Sequence, residues 1–281
     1  MEKKKVRAAA ITVFGILLAV AAVLGGYTEQ SEMAMLQDAM RNLKRVDNLQ
    51  MAYSYAYAKD DSYGEDSVEV WADMLTGSWV GEYKTMDEDG TRLYLRQFCD
   101  GQSVYNYVDW SGEWAVQAGE STWVPNLESL TALVYRAEDI LETRTWEEDG
   151  DQKISYVFTP EYLQQQHEKR YAHMRESYER YQREGASEEE LYNVALSVDQ
   201  YEKSRYEQIV VTYTLDPEQI LRSMECTATM VAPELTPDET GRMRLGEERE
   251  TKLVLRIDVQ RYNQGGILNK IAQCRSELLY E

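Results

Sequence analysis

The sequence predicts an α+β fold, an antiparallel sheet carrying helices, and three observations predict it. Between Asn48 and Gln117 apolar residues recur with period two, in short runs separated by glycine-containing turns. The same period returns in a hairpin around residues 142–159 and in long runs over 208–262. Elsewhere the apolar residues fall at helical spacing, before, between and after these blocks.

Taken in order, the first element stands apart by charge. The 281 residues carry a formal charge of −20, yet residues 1–27 sum to +3 through Lys3, Lys4, Lys5 and Arg7 against Glu2, leaving −23 for the rest. Ala8 to Gly26 holds no charged residue and spans about 28 Å as a helix, close to the thickness of a bilayer core. Basic residues before it and Glu29 after it predict a single-pass anchor at the cell membrane, N-terminus inside, with the body of the chain extracytoplasmic. The alternatives are a cleaved signal peptide, with processing after Ala19-Val20-Ala21 or Val23-Leu24-Gly25 and a secreted product, and a buried core helix. No cysteine follows the apolar run in the position of a lipoprotein acyl anchor.

Residues 28–281 read as the extracytoplasmic domain. Ser31 to Val46 places Met35, Leu36, Met40, Leu43 and Val46 near helical spacing. Leu49, Met51, Tyr53, Tyr55 and Tyr57 then alternate with Gln50, Ala52, Ser54 and Ala56, a strand with one larger, more apolar face. Strands follow over 67–74, 78–86, 91–100, 103–109 and 113–117, with turn chemistry at Thr76-Gly77, Asp89-Gly90, Asp100-Gly101 and Ser111-Gly112. Pro125 to Thr143 carries Leu127, Leu130, Leu133, Val134, Ala137, Ile140 and Leu141 on a helical face, and a hairpin is expected over 142–159 around Asp149-Gly150-Asp151.

Residues 161–206 change composition: seven of the 21 tyrosines sit there among dense charge. The spacing predicts two helices, broken at Gly185-Ala186-Ser187, with Ser187 and Glu190 as a capping box. Strands are expected again over 208–215 and 219–230, a loop over 231–248 where Pro233, Pro237 and Gly241 fall, and a long strand over 250–262. Ile267, Leu268, Ile271, Cys274 and Leu278 close the chain as an amphipathic helix.

The acidic balance, 50 Asp and Glu against 30 Lys and Arg, argues against a protein that grips nucleic acid through phosphates. Cys99, Cys226 and Cys274 form no CxxC pair and read as small buried side chains. His167 and His173, six apart, do not share a helix face as zinc-protease ligands do, and read as surface histidines. The acidic runs at Asp87–Gly90 and Glu147–Asp151 lack the remaining ligands of a calcium loop and read as hairpin turns. No nucleophile elbow, Walker loop or dinucleotide fingerprint is present. No metal, cofactor or catalytic residue is therefore expected, and the protein reads as non-enzymatic. The six tryptophans suit strand and core filling before carbohydrate stacking.

The helix MAMLQDAMRNLKRVDNL running into the strand QMAYSYAY, then RLYLRQFCDGQSVYNY with WSGEWAV, then VVTYTLDPEQILRSMECTATM and KLVLRIDVQRYN, resembles the LolA/LppX-like lipoprotein-carrier superfamily over roughly residues 30–160 and 207–265, with 161–206 as a two-helix insertion. The resemblance is one of pattern and element order. It implies a curved antiparallel half-barrel with helices packed on its concave side, and an apolar interior that holds acyl chains or serves envelope sensing. On this chain such a face would present Tyr53, Tyr55 and Tyr57 of the first strand with Val70, Trp79, Tyr83 and Leu95 as a site for a lipid or other apolar ligand; the alternative is that these side chains pack on the helices and leave no cavity. Two further function classes stand beside the carrier: an interaction module docking a protein partner through the 161–206 hairpin, and, third, an extracytoplasmic hydrolase.

Overall fold

A computed structural model describes residues 32–59, 62–87, 90–108, 114–116, 135–239 and 241–280. The expected membrane anchor and most of the expected helix Pro125–Thr143 lie outside them. Among the described residues no helix is long and apolar enough to cross a membrane.

A helix over residues 32–43 (α1) enters the first strand, β1 (Asn48–Lys59). A meander follows through β2 (Ser62–Asp73), β3 (Ser78–Asp87), β4 (Gly90–Cys99), β5 (Val104–Val108) and β6 (Trp114–Val116). After a short 3-10 turn come β7 (Ile140–Glu148) and β8 (Asp151–Phe158), then the helices α2 (Pro160–Arg183) and α3 (Glu188–Glu202). β9 (Arg205–Leu215), β10 (Leu221–Pro237), β11 (Met243–Tyr262) and α4 (Gly265–Tyr280) complete the chain. The strands form one open, curved antiparallel sheet in the order β6-β5-β4-β3-β2-β1-β11-β10-β9-β8-β7. The first and last strands thus pair side by side in the middle of the sheet, and the α2–α3 hairpin is inserted between two neighbouring strands, β8 and β9.

Register assigns the two faces. Tyr53 pairs with Ile257, which pairs with Met224, Tyr213 and Ile154 in turn. These and their i±2 neighbours share one face. On it α1 buries Leu36, Ala39, Met40 and Leu43, an i, i+3, i+4, i+7 stripe, against Leu49, Met51, Leu215, Leu221, Ile257 and Val259. The start of α2 joins the same core through Tyr162 and Leu163.

On the opposite face Gln50, Trp71, Val80, Phe98 and Tyr105 form a cross-strand row. Against it α4 packs Ile271 and Cys274, with Leu278 partly buried. Polar contacts frame this seam: Lys270 Nζ donates to Glu82 Oε1 at 2.6 Å, Arg96 Nη1 to Glu277 Oε2 at 3.2 Å and Arg275 Nη2 to Ser78 Oγ at 3.1 Å. The helices therefore do not all share one side of the sheet, as the resemblance implied. The apolar stripe of α4 matches the Val80–Phe98 row, and that row faces away from α1.

Three other expectations are corrected. Residues 140–143 belong to strand β7 and do not continue a helix; the run Ile140 to Trp146 includes Ile140, Thr143 and Thr145, whose β-branched side chains suit a strand. Residues 231–237 and 243–248 are strand, where a loop was expected. Pro233 is accommodated by a register break between Pro233 and Leu235, after which Leu235 resumes pairing with Leu245, and Pro237 is the last residue of β10. His167 is half-buried and is not a surface histidine: its ring stacks on Tyr201 at 4.8 Å and 7°. Its Nε2 lies 2.8 Å from the Tyr201 carbonyl, which can only accept, so Nε2 carries the proton. His173 is exposed. At the β7–β8 turn, Asp149 and Gly150 take φ of 55° and 85°, the two left-handed positions of the hairpin turn that such a dipeptide favours.

Candidate ligand-binding groove

The α1 face is covered at two places. α1 covers one end of β9, β10, β11 and β1, while the α2–α3 hairpin covers the other end of β9–β11. Between them a groove of about 560 Å³ remains open. Its floor is two cross-strand rows: Tyr55–Leu255–Cys226–Val211, and Leu253–Ala228–Ile209. Met224 and Tyr213 border α1; Tyr135 and Tyr206 close the sides. The wall is the stripe Tyr162, Gln166, Lys169 and Arg170 of α2, i, i+4, i+7 and i+8 on one helix face. The small side chains of Cys226 and Ala228 are what leave the depth: residues of ordinary strand bulk at those two positions would fill it.

The hairpin is held in place from outside the groove. Gln200 Nε2 donates to the Pro233 carbonyl at 2.7 Å, Tyr192 Oη to the Met243 carbonyl at 2.6 Å, and Arg242 lies 3.5 Å above the Tyr192 ring. The long β10–β11 ladder, which reaches past the other strands, supplies these anchors. Thr159 caps α2 by accepting from the Tyr162 amide, and Ser187 with Glu190 closes a reciprocal capping box on α3.

Chemically the floor is neutral. Burial, with Glu225 nearby, pushes the Cys226 thiol up to about 11, so it stays protonated at neutral pH and is a poor nucleophile. Burial likewise raises Tyr162 to about 12, with Asp139 and Cys226 adding to it. Tyr135 and Tyr213 are raised further by burial; Tyr135 Oη donates to Tyr213 Oη at 2.8 Å. The protonated phenols and aliphatic side chains at and beside this floor offer contact area and few hydrogen bonds. Among the described residues no group of histidine, cysteine and carboxylate side chains is arranged to hold a metal ion. A larger hollow of about 650 Å³ lies over the outer surface of α1, but Asp38, Arg41, Asn42 and Arg45 line it, so it is a solvated helix surface.

The residues singled out from sequence divide between two places. Tyr53, Tyr55, Val70, Trp79, Tyr83 and Leu95 do share the α1 face by register, and Tyr57 keeps the register opposite Leu253. Of these the groove takes in Tyr55, which is 40% exposed, and Tyr53 packs half-buried on the core beside it. Val70 and Tyr83 are each 1% exposed, with Tyr83 Oη donating to Gln97 Oε1 at 3.0 Å, and Trp79 packs on Cys99 and Val104. Leu95 is half-buried on β4. The groove extends from β1 toward β11, β10 and β9, away from β2–β4. Ile209, Val211, Cys226, Ala228, Leu253 and Leu255 line the groove without being expected there from sequence. Their alternation was legible, but that β11 pairs with β1 was not.

No family model and no curated protein matches this sequence. Among solved structures, the chain is similar to the lipoprotein LppX of Mycobacterium tuberculosis (8% identity, 84% of this chain and 96% of that one, TM-score 0.38). It is also similar to LprF of Mycobacterium bovis (9%, 82% and 91%, TM-score 0.33) and to a LolA superfamily protein of Nitrosomonas europaea (8%, 82% and 93%, TM-score 0.24). At these TM-scores the likeness adds no argument about function to the topology and the groove.

Proposed function

We propose that this chain is a membrane-tethered, extracytoplasmic, non-enzymatic protein whose α1 face receives an acyl chain or a comparable apolar ligand. The observation that carries the reading is the open groove with its aliphatic and aromatic floor. Its volume of about 560 Å³ falls within the roughly 300–1,000 Å³ usual for ligand pockets. An apolar strip left open to water between two packed ends of one sheet face is costly unless something covers it. The uncharged state of Cys226, Tyr162 and Tyr213 suits an acyl chain better than a polar substrate. Tethering rests on Lys3, Lys4 and Lys5 ahead of the uncharged stretch Ala8 to Gly26, and membrane fractionation with N-terminal sequencing tests it.

The direct test uses the delipidated full-length protein and a fluorescent acyl probe. Ala228→Trp fills the floor and is expected to weaken uptake by at least about tenfold, the equivalent of losing contact with one or two methylene groups. A folded Ala228→Trp protein with unchanged uptake would count against the groove.

A second reading, partner docking by the α2–α3 hairpin, is favoured by one observation: in the 24 residues of α2 only Tyr162 and Leu163 are buried, and Tyr181 near its end is exposed. Deletion of 161–206 that leaves both oligomeric state and co-purifying proteins unchanged would argue against it.

A further inference from the structure

The groove has a floor without charge and a lip that carries two cations. Lys169 and Arg170, adjacent on α2 and both exposed, line its outer edge. Along the α2 stripe the side chains grade from the buried ring of Tyr162 through the amide of Gln166 to these cations. That is a change from apolar to positive over about 12 Å of helix.

Among the described residues the two cations form no ion pair and stand free to meet an anion, as several surface cations of this chain meet a carboxylate. Acidic residues outnumber basic ones 50 to 30, and elsewhere cations such as Arg144, Lys153, Arg205, Arg222 and Arg256 each have a carboxylate within ion-pair distance. Among the described residues no carboxylate pairs with Lys169 or Arg170; the ring of Tyr201, 5.6 Å from the Arg170 guanidinium carbon, is the partner seen there. A chain of net charge −20 repels anions at long range, but ionic screening confines that repulsion to about 8 Å at physiological salt.

We infer that the ligand is an anionic amphiphile, its acyl chain lying on the Leu253–Ala228–Ile209 and Leu255–Cys226–Val211 rows and its carboxylate or phosphodiester headgroup meeting Lys169 and Arg170. This rests on the acyl-binding reading above and adds the class of headgroup. Arg170 supplies a planar donor fork for two oxygens and Lys169 a point charge on a flexible stem that lies along apolar surface. A fatty acid and a lysophospholipid present the same chemistry to this lip.

The test uses the delipidated full-length protein and reads alkylation of Cys226, which faces the groove while Cys99 and Cys274 are buried. The reagent is excess iodoacetamide at about pH 9, where the raised thiol yields enough thiolate to react slowly. The probes are palmitate, palmitoyl lysophosphatidylglycerol, the neutral monopalmitoylglycerol and the cation hexadecyltrimethylammonium. The wild type is expected to be protected by one or both anions at concentrations about tenfold below the neutral probe, the effect of one charge-assisted hydrogen bond. Preference for palmitate over the lysolipid assigns a free acid, and the reverse assigns a phospholipid. In Lys169→Gln/Arg170→Gln the ratio of anionic to neutral affinity is expected to collapse, in Lys169→Glu/Arg170→Glu to invert in favour of the cation, and in the conservative Lys169→Arg to persist. Equal protection by all four probes in the wild type would overturn the headgroup inference while leaving acyl binding intact. Protection by none would overturn acyl binding itself.

Discussion

The two halves of the sheet carry their described helices on opposite faces. From β7 to β1, through β8–β11, the covered face is the one that carries α1 and the first turn of α2, and its core is large and aromatic: Tyr135, Tyr156, Phe158, Tyr162 and Tyr213 stack edge-on or in parallel at 4.4 to 6.5 Å. From β2 to β5 the face bearing Val80 and Phe98 is covered by α4, and that seam is small and framed by ion pairs. Lys270 lies 2.6 Å from Glu82 and also over the Trp71 ring, while Arg96 bridges Glu82 and Glu277. A sheet packed this way is stabilised from both sides at different places, and the apolar strip between α1 and the hairpin stays uncovered.

That contrast can be broken at either end. The largest effect is expected in the first half. Leu43→Ala, at a fully buried α1 position in the main core, should lower unfolding free energy by about 3–5 kcal/mol in urea titrations. Ile271→Ala in the α4 seam should cost about 2–3 kcal/mol, the lower part of the range for such truncations, because the seam is thinner and its edges are solvated. It should leave acyl-probe uptake as in the wild type, since α4 lies across the sheet from the groove. A smaller effect is expected at the tyrosine pair. Tyr213→Phe leaves Tyr135 Oη without its partner in the core, a loss of about 1–2 kcal/mol, measurable as a shift in the urea midpoint.

The smallest is electrostatic and lies within the second half, where the β2–β3 turn meets α4. Burial pushes the Asp73 carboxyl up, but hydrogen bonds from Thr76 Oγ1 and the Leu75 and Thr76 amides, with Arg275 of α4, hold it below its ordinary value. A depressed folded-state pKa contributes stability that is present above the unfolded value and lost as pH falls through the folded one. The melting-temperature gap between wild type and Asp73→Asn should therefore be full at neutral pH and close below about pH 4. A gap that persists in acid would remove Asp73 from the account.

How far the sequence reaches differs between the same two regions. The meander was legible because each strand from Ser78 onward alternates cleanly and each turn carries its glycine; β3, β4 and β5 differ from expectation by a residue or so at their ends. The hairpin insertion was legible from Ser187, Glu190 and the Tyr stripes. The β10–β11 extension was hidden because Pro233, Pro237 and the charged run Arg242 to Glu250 mask the period. The groove was half-legible: Tyr55 belongs to a visible apolar face, but the side on which its neighbours stand depends on β1 pairing with β11, a contact about two hundred residues apart that no local pattern encodes. Cys226 and Ala228 gave no signal at all, since small residues in a strand mark a cavity only once the helix above them is in place.

The central claim is that the strip between α1 and the hairpin is a binding surface and is not merely a fault in packing. Titration of the delipidated full-length protein with a fluorescent acyl probe tests it most directly. Saturable uptake near one probe per chain, lost in Ala228→Trp and kept in Ile271→Ala, is the predicted result. Uptake that never saturates, or that Ala228→Trp leaves untouched, would contradict it.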